Sequence, residues 1–183
     1  NSIESAARQV EAYGPDQLII VATGVLHGHD FSPEKSLKQI SADNFLKVLN
    51  INTIGPALVG KSFLPFLDNK NPSVFGFLSA RVGSISDNKL GGWHAYRASK
   101  ASLNMLIKNF AIELARTNKL AKVIGLHPGT VDTELSKPFQ KNVPGNKLFT
   151  PQFSADAMIN VVDGLKEGDS GSVFAFDGSK IES

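Results

Sequence analysis

The chain has 183 residues, of which 42% are hydrophobic and 20% are charged, and its formal net charge is +2. This length and composition are typical of one folded domain, and they exclude disordered and fibrous classes of protein. We therefore expect residues 1–183 to form a single domain, and the scattered basic residues indicate no nucleic acid and no membrane as a partner.

Helical and strand patterns alternate along the first half of the chain. Residues 2–13 carry apolar side chains at helical spacing, and the β-branched run LIIVATG (18–24) predicts a strand that is buried on both faces. Ser41 is a candidate N-cap for a long helix over 41–67. Pro56 lies inside that helix, so we expect a bend or one lost hydrogen bond there.

The second half continues the alternation. SVFGFLS (73–79) predicts another buried strand, residues 95–115 a long helix, and AKVIGLHPG (121–129) a third strand. The remaining predicted elements are an irregular insertion over 130–153, a short helix over about 154–166 and a last strand over 171–178.

Strand–helix–strand repetition predicts an α/β fold, with a mostly parallel sheet covered by helices. In such sheets ligands bind beyond the carboxyl ends of the strands. Gly24, Ser79 and the segment 127–129 each lie at or just past a predicted strand end. Tyr96 should lie near them, because its helix follows the loop that leaves the strand over 73–79. The sequence therefore predicts a ligand site along one edge of the sheet.

Tyr96 and Lys100 are four residues apart in a helical segment, so their side chains should rise from the same face. An ammonium beside a phenol favours the phenolate and moves the pKa of the tyrosine toward neutral, which suits proton transfer. The spacing alone is common on helix surfaces, however, and by itself favours a structural pair over a catalytic one.

Several segments resemble, in the right order, motifs of the short-chain dehydrogenase/reductase family. YRASK (96–100) resembles the Y-x-A-S-K active-site motif, and HPGTVDT (127–133) is similar to the P-G-x-x-x-T segment that contacts the nicotinamide half of the cofactor. NINTIGP (50–56) resembles the N-x-x-G stretch of the long helix, and Gly24 matches the last residue of the N-N-A-G element. The loop before Tyr96 resembles that of the branch containing the C-factor signalling protein and sniffer-type carbonyl reductases.

The resemblance implies a Rossmann-like sheet and hydride transfer between NAD or NADP and a small-molecule carbonyl or alcohol. Tyr96 would exchange the proton with the substrate oxygen, Lys100 would lower the pKa of Tyr96 and bind the nicotinamide ribose, and Asn52 would support the proton relay. The cofactor-binding residues that it implies are Gly24, Tyr96, Lys100, Pro128, Gly129, Val131 and Thr133.

The sequence departs from the family pattern in three places. Ala80 stands where the family has its catalytic serine; Ser84 is our slightly preferred substitute, Ser79 is the second, and in a third alternative neither is catalytic. Val21 and Ala22 replace two asparagines that normally connect the central strands. The chain also lacks the glycine-rich turn that lets pyrophosphate approach a helix N-terminus, so we expect the N-terminal strands of the fold to be missing and NAD(P) binding to be weak.

Two of these departures, Ala80 and the missing glycine-rich turn, favour a second hypothesis for this chain. It would be a non-catalytic, C-factor-like cell–cell signalling or regulatory protein that keeps the fold with an incomplete cofactor site. The residues that favour the enzyme for its parent are Tyr96, Lys100, Asn52, Pro128 and Gly129. A third hypothesis, a binding module on a flavodoxin-like sheet, leaves the matched motifs unexplained. The sequence identifies neither the substrate nor the choice between NAD and NADP.

The two long helices carry more apolar surface than one sheet face needs to cover. By resemblance, the helices over 41–67 and 95–115 pair across a two-fold axis, so we expect a homodimer or homotetramer. Residues 134–153 resemble the substrate lid of the family.

Cysteine is absent, which excludes disulfides and thiolate zinc sites and is compatible with a cytoplasmic location. No apolar run approaches the roughly 20 residues that a membrane helix needs. The sequence His27-x-His29-Asp30 contains residue types that bind metals. The sequence offers no third convergent ligand for such a site, so we predict no metal. His127 is expected to end a strand and to pack without titrating in catalysis.

Overall fold

The computed structural model describes residues 2–182, and at its centre is a five-stranded sheet in the order β1-β2-β3-β6-β7. The strands β1, β2, β3 and β6 run parallel, and β7 is antiparallel to β6. The predicted α/β fold with a mostly parallel sheet is therefore confirmed. The sheet strands are β1 (Leu18–Val21), β2 (Ser73–Leu78), β3 (Ala121–His127), β6 (Val173–Ala175) and β7 (Lys180–Ile181).

Helices cover both faces of this sheet, because side chains of the central strands alternate between two apolar cores. On one face, Phe75, Phe77 and Val123 pack with residues of α3 and α4. On the other face, Ile124 and Leu126 pack with residues of α5. The helices are α1 (Ser2–Glu11), α2 (Ala42–Leu49), α3 (Gly55–Phe63), α4 (His94–Leu114) and α5 (Pro151–Asp163).

The strand β1 lies at the edge of the sheet and pairs only with β2 within the described residues. Ile19 and Val21 face the core, whereas Leu18 and Ile20 are 40% and 37% exposed. The prediction that this strand is buried on both faces is therefore wrong. A β-branched run indicates a strand, but the neighbouring elements decide whether both of its faces are covered.

The long helix predicted over 41–67 is divided into segments. Ser41 caps α2, since its Oγ accepts a hydrogen bond from the Asn44 N–H at 3.2 Å. A π-helical turn over Asn50–Ile54 then precedes α3, which contains Pro56. Proline has no N–H and its ring crowds the preceding turn, so a bend or a lost hydrogen bond is expected near Pro56. The structure has a wider, π-helical turn there.

The insertion predicted to be irregular has more regular structure than expected. Its ends, β4 (Thr130–Val131) and β5 (Leu148–Phe149), form a small parallel sheet, with two 3-10 helices between them. The helix α5 begins at Pro151, before the predicted start, because the Thr150 side chain accepts a hydrogen bond from the Phe153 N–H. Within residues 2–182, no helix combines enough length with enough apolar character to cross a membrane.

Candidate active site

A cavity of about 530 Å³ lies beyond the carboxyl ends of β1, β2 and β3, where the sequence predicts a ligand site. Most of the candidate residues line this cavity, and Asn52 and Ser84 are not among its lining residues. The candidates that do line it are Gly24, Ser79, Tyr96, Lys100, Pro128, Gly129, Val131 and Thr133.

Asn52 lies in the π-helical turn and is completely buried. Its Oδ1 accepts a hydrogen bond from the Val25 N–H at 2.7 Å, and its Nδ2 donates to the Val25 carbonyl at 2.8 Å and to the Ser99 hydroxyl at 3.1 Å. Both N–H donors of the amide are therefore used within the protein. The side chain fixes the loop after β1 to α4, which is a positioning role.

Tyr96 and Lys100 occupy the first two turns of α4, and both are buried. The Lys100 Nζ lies 5.8 Å from the centre of the Tyr96 ring and donates a hydrogen bond to the Leu78 carbonyl at 2.8 Å. Among the described residues that line the cavity there is no Asp, Glu or Arg. Lys100 is therefore a cation without a carboxylate partner at this site.

Burial shifts the pKa values of the pair in opposite directions. Desolvation raises the pKa of Tyr96 to about 12 and lowers the pKa of Lys100 to about 8. The net pKa of Tyr96 therefore moves away from neutral, and the expected effect of Lys100 on it stays a prediction. The ammonium is bound to the Leu78 carbonyl, and the desolvation of the phenol dominates. At neutral pH, Tyr96 is a neutral phenol and can act as a proton donor.

The candidate serines have different environments. Ser79 lines the cavity because β2 ends one residue earlier, and its hydroxyl donates to the Asn104 Oδ1 at 2.5 Å. Ser84 is buried in the following loop, where its Oγ accepts from the Asp87 N–H at 3.1 Å. The structure thus brings Ser79 to the cavity and leaves Ser84 outside it. Ala80 lies in the cavity wall and packs with Tyr96.

The turn after β3 forms another wall. Gly129 has a φ of +77°, and a Cβ at this position would lie 2.6 Å from the Phe149 ring, so the turn requires glycine. Ser154 of α5 fixes the turn by donating a hydrogen bond to the Pro128 carbonyl at 2.9 Å. His127 ends β3, and burial is the main cause that lowers its pKa to about 4, so its ring is neutral at physiological pH.

Sequence reasoning missed the apolar wall of the cavity, to which Leu26, Val82, Trp93, Phe139 and Met158 contribute. The available signal was the pair of glycines before Trp93, which indicates a sharp turn that brings a large ring close to the start of α4. Part of the segment predicted as a lid reaches the cavity, through Leu135, Ser136, Phe139 and Val143.

His27, in the loop after β1, has structural contacts. The His27 Nε2 lies 3.1 Å from the Glu134 carbonyl oxygen, and its ring packs edge-on against Phe139 with centroids 5.7 Å apart. Within the described part of the chain, no group of three or more metal-ligating side chains occurs.

Comparison with known proteins gives a consistent relationship. A family model described as short chain dehydrogenase matches residues 1–144. A 1-hydroxy-2-glutathionyl-2-methyl-3-butene dehydrogenase of Rhodococcus sp. is 36% identical over 141 residues, which cover 76% of this chain and 59% of the relative. C-signal of Myxococcus xanthus is 31% identical over 146 residues, which cover 80% of this chain and 82% of the relative. The chain thus spans less than two thirds of the length of the Rhodococcus relative.

A similar solved structure is the NADPH-bound carbonyl reductase from chicken fatty liver, with a TM-score of 0.85 and 25% sequence identity. The alignment covers 100% of this chain and 73% of the chicken chain. The match to the family model covers well over half of the sequence and includes Asn52, Tyr96 and Lys100. The motif order, the fold and these matches agree: the chain belongs to the short-chain dehydrogenase/reductase family.

Proposed function

We propose that this chain supplies the substrate-binding and proton-transfer part of an NAD(P)-dependent oxidoreductase that interconverts a carbonyl and an alcohol. The observation that carries the proposal is the convergence of Tyr96 and Lys100 with Gly24 and Gly129 on one cavity beyond the strand ends. The names of relatives support it, since the Rhodococcus protein is a dehydrogenase and the chicken carbonyl reductase was solved with NADPH.

The residues at this edge of the sheet fit the nicotinamide and ribose half of such a cofactor. Lys100 is a buried ammonium that uses one hydrogen bond, to the Leu78 carbonyl, and can donate to a ribose hydroxyl. Gly24 leaves the space beside this ammonium open, because a Cβ at position 24 would lie 3.5 Å from the Lys100 Nζ. Pro128, Gly129 and Thr133 would contact the nicotinamide side. When bound, the cofactor supplies the hydride.

The residues of the chain would manage the proton. During reduction, the Tyr96 hydroxyl donates its proton to the carbonyl oxygen of the substrate, and a pKa of about 12 ensures that this proton is present at neutral pH. The ammonium of Lys100, 5.8 Å from the ring centre, then stabilises the phenolate that forms. Asn52 holds the loop after β1 in position, and its part in a proton relay stays a prediction.

The signalling alternative is supported by the 31% identity to C-signal, by Ala80 and by the lack of a glycine-rich turn in this sequence. It does not explain why Tyr96 and Lys100 are buried at the cavity. Buried polar side chains cost stability, so a chain that does not use them would gain by replacing them. We therefore retain the oxidoreductase as the proposed function.

The test is to mix the chain with a carbonyl panel and NADH, NADPH or reduced nicotinamide mononucleotide, and to follow oxidation of the reduced nicotinamide. The mononucleotide is the informative probe, because it carries the nicotinamide and ribose that this sequence is equipped to contact, with one phosphate and without the adenosine half. We expect saturable turnover with the mononucleotide and weak binding of the dinucleotides. Folded protein that neither binds nor oxidises any of the three would contradict the proposal.

Restoring a serine at position 80 should raise activity. Ala80→Ser adds a neutral hydrogen-bond donor to the wall that holds Tyr96, where it can stabilise charge on the substrate oxygen. We expect kcat to rise by about 10–100-fold with little change in KM, since one such donor is typically worth about 10²–10³-fold. Ala155→Ser, the same substitution on the wall formed by α5, is the matched control and should leave kcat unchanged. Equal effects of the two substitutions would refute this prediction.

The outer face of α2–α4 is the proposed oligomer interface. Large apolar side chains are exposed along both long helical segments, and their exposure favours association with a second copy. The exposed residues are Leu46, Ile51, Ile54, Leu58, Met105 and Ile112.

We expect Leu58→Asp to convert a homodimer or homotetramer into a smaller species, because a carboxylate at this face would be desolvated on association. Light scattering after size-exclusion chromatography measures the mass directly. Leu37→Asp is the control, since Leu37 is 75% exposed and lies outside this face. An unchanged mass of the Leu58→Asp variant, or a monomeric wild type, would show that this face is not the interface.

A further inference from the structure

Trp93 has an unusual backbone conformation directly before α4. Its φ of 50° and ψ of 44° are left-handed, and among the described residues it is the one non-glycine residue with a positive φ. Gly91 and Gly92 before it have φ values of 64° and 65°. Glycine at position 93 would adopt this conformation without strain, whereas a bulky side chain costs about 1–3 kcal/mol. The ring of Trp93 must therefore contribute something that offsets this cost.

Glu34 holds this conformation in place. The Trp93 N–H donates to the Glu34 carbonyl at 2.5 Å, and the Ala95 N–H donates to the Glu34 Oε2 at 3.1 Å. The Glu34 side chain is buried, and its carboxylate lies at the N-terminus of α4, where the helix dipole favours a negative charge. Arg97 adds a bond from its Nε to the Gly92 carbonyl at 3.1 Å. The backbone around Trp93 is thus fixed from two sides.

The ring lies between Tyr96 and the segment that covers the cavity. Its centroid is 6.2 Å from the Tyr96 ring and 5.0 Å from the Phe139 ring, with interplanar angles of 76° and 60°. The Phe139 ring also contacts His27 on its other side. The rings of Trp93 and Phe139 therefore form an aromatic wall of the cavity next to Tyr96.

The chemistry of the cavity selects among carbonyl compounds. Lys100, next to Tyr96, is the one lysine among the described residues that line the cavity, and these residues include no arginine, aspartate or glutamate. A charged substrate would lose its hydration here without gaining an ionic partner other than Lys100. A flat ring, in contrast, can stack on the indole and phenyl faces. The apolar residues that line the cavity with Trp93 and Phe139 are Leu26, Val82, Leu135, Val143 and Met158.

We propose that Trp93 is a specificity-determining residue of this site, and that together with Phe139 it restricts the substrate to flat, uncharged carbonyl compounds. This rests on the proposed function for the reaction itself, but the preference is a property of binding. It can therefore be measured without cofactor and without turnover, so that failure of the two proposals can be told apart.

The test uses naphthaldehyde and its fully hydrogenated, puckered analogue, which have the same number of carbon atoms. Trp93 is the only tryptophan of the chain, so quenching of its fluorescence reports binding at this wall. We expect the wild type to bind the flat aldehyde about 10-fold more tightly, since each aromatic contact contributes roughly 0.5–1.5 kcal/mol. If turnover is found, the preference should appear in KM more than in kcat.

Variants at position 93 separate the ring from the backbone. Trp93→Gly removes the ring and suits the left-handed conformation, so it should fold and lose the preference for the flat aldehyde. Trp93→Phe should keep most of the preference, and calorimetric titration replaces fluorescence for both variants. Phe153→Leu, which changes an aromatic residue outside the cavity lining, is the control. A wild type without preference, or a Trp93→Gly variant that keeps it, would overturn the proposal.

Discussion

Replacement of Tyr96 by phenylalanine is expected to lower kcat for carbonyl reduction by about 10²–10⁴-fold, the usual contribution of a general acid. The substitution removes only the hydroxyl. The Ser79 hydroxyl already donates its hydrogen to Asn104, and the remaining donors of the Lys100 ammonium are assigned to the ribose in the proposed function. KM should change by less than about 10-fold, because the aromatic ring that packs against Trp93 and Ala80 remains.

The matched control for this experiment is Tyr13→Phe. Tyr13 is the other tyrosine of the chain, is 91% exposed and lies before β1 outside the cavity. Steady-state kinetics and thermal unfolding should be measured for both variants, and both are expected to remain folded. If Tyr96→Phe retains more than about one tenth of the wild-type kcat, the proton comes from another group and the proposed role of Tyr96 is wrong.

The main strands and helices could be predicted because their signals are local. The run over 73–79 and the apolar spacing of 95–115 fix an element type wherever the rest of the chain lies. The ends of the elements are harder to predict, because a strand ends where pairing with its neighbour ends. The strand β3 ends at His127, two residues before the predicted end. The open face of β1 could not be seen either, because its sequence is that of a strand covered on both sides.

The positions of site residues that follow strand ends could be predicted from the sequence. Properties that depend on contacts with distant parts of the chain could not. Gly24 and Gly129 follow strands, so the topology alone brings them to the cavity. The direction of the pKa shift of Tyr96 depends instead on burial by elements far away in the sequence, including Phe139.

Replacement of Lys100 by methionine is expected to stabilise the fold at neutral pH while it removes activity. Methionine has a similar length and no charge, so it relieves the cost of a buried ammonium that has no carboxylate partner at the cavity. Activity should fall because the phenolate of Tyr96 loses the cation beside it. We expect the free energy of unfolding at pH 7 to rise by about 1–3 kcal/mol, measured by urea denaturation.

The pH dependence identifies the cause of this stabilisation. The pKa of Lys100 is lowered from its usual 10.5 to about 8 in the folded chain, so between these values the unfolded chain binds more protons. Wild-type stability should therefore rise with pH across this window, by up to about 3 kcal/mol at about 1.4 kcal/mol per pKa unit. The variant lacks this rise, so its advantage should shrink between pH 7 and pH 10.

The stability of the two proteins is compared only up to pH 10, because above pH 10 Tyr96 makes stability fall with pH. Its pKa is raised from 10.0 to about 12, so the folded chain binds more protons there and stability falls with pH. Lys108→Met, at an exposed position of the same helix, is the control and should show the pH dependence of the wild type. An advantage of Lys100→Met that stays constant from pH 7 to pH 10 would mean that side-chain packing, and not the buried charge, causes it.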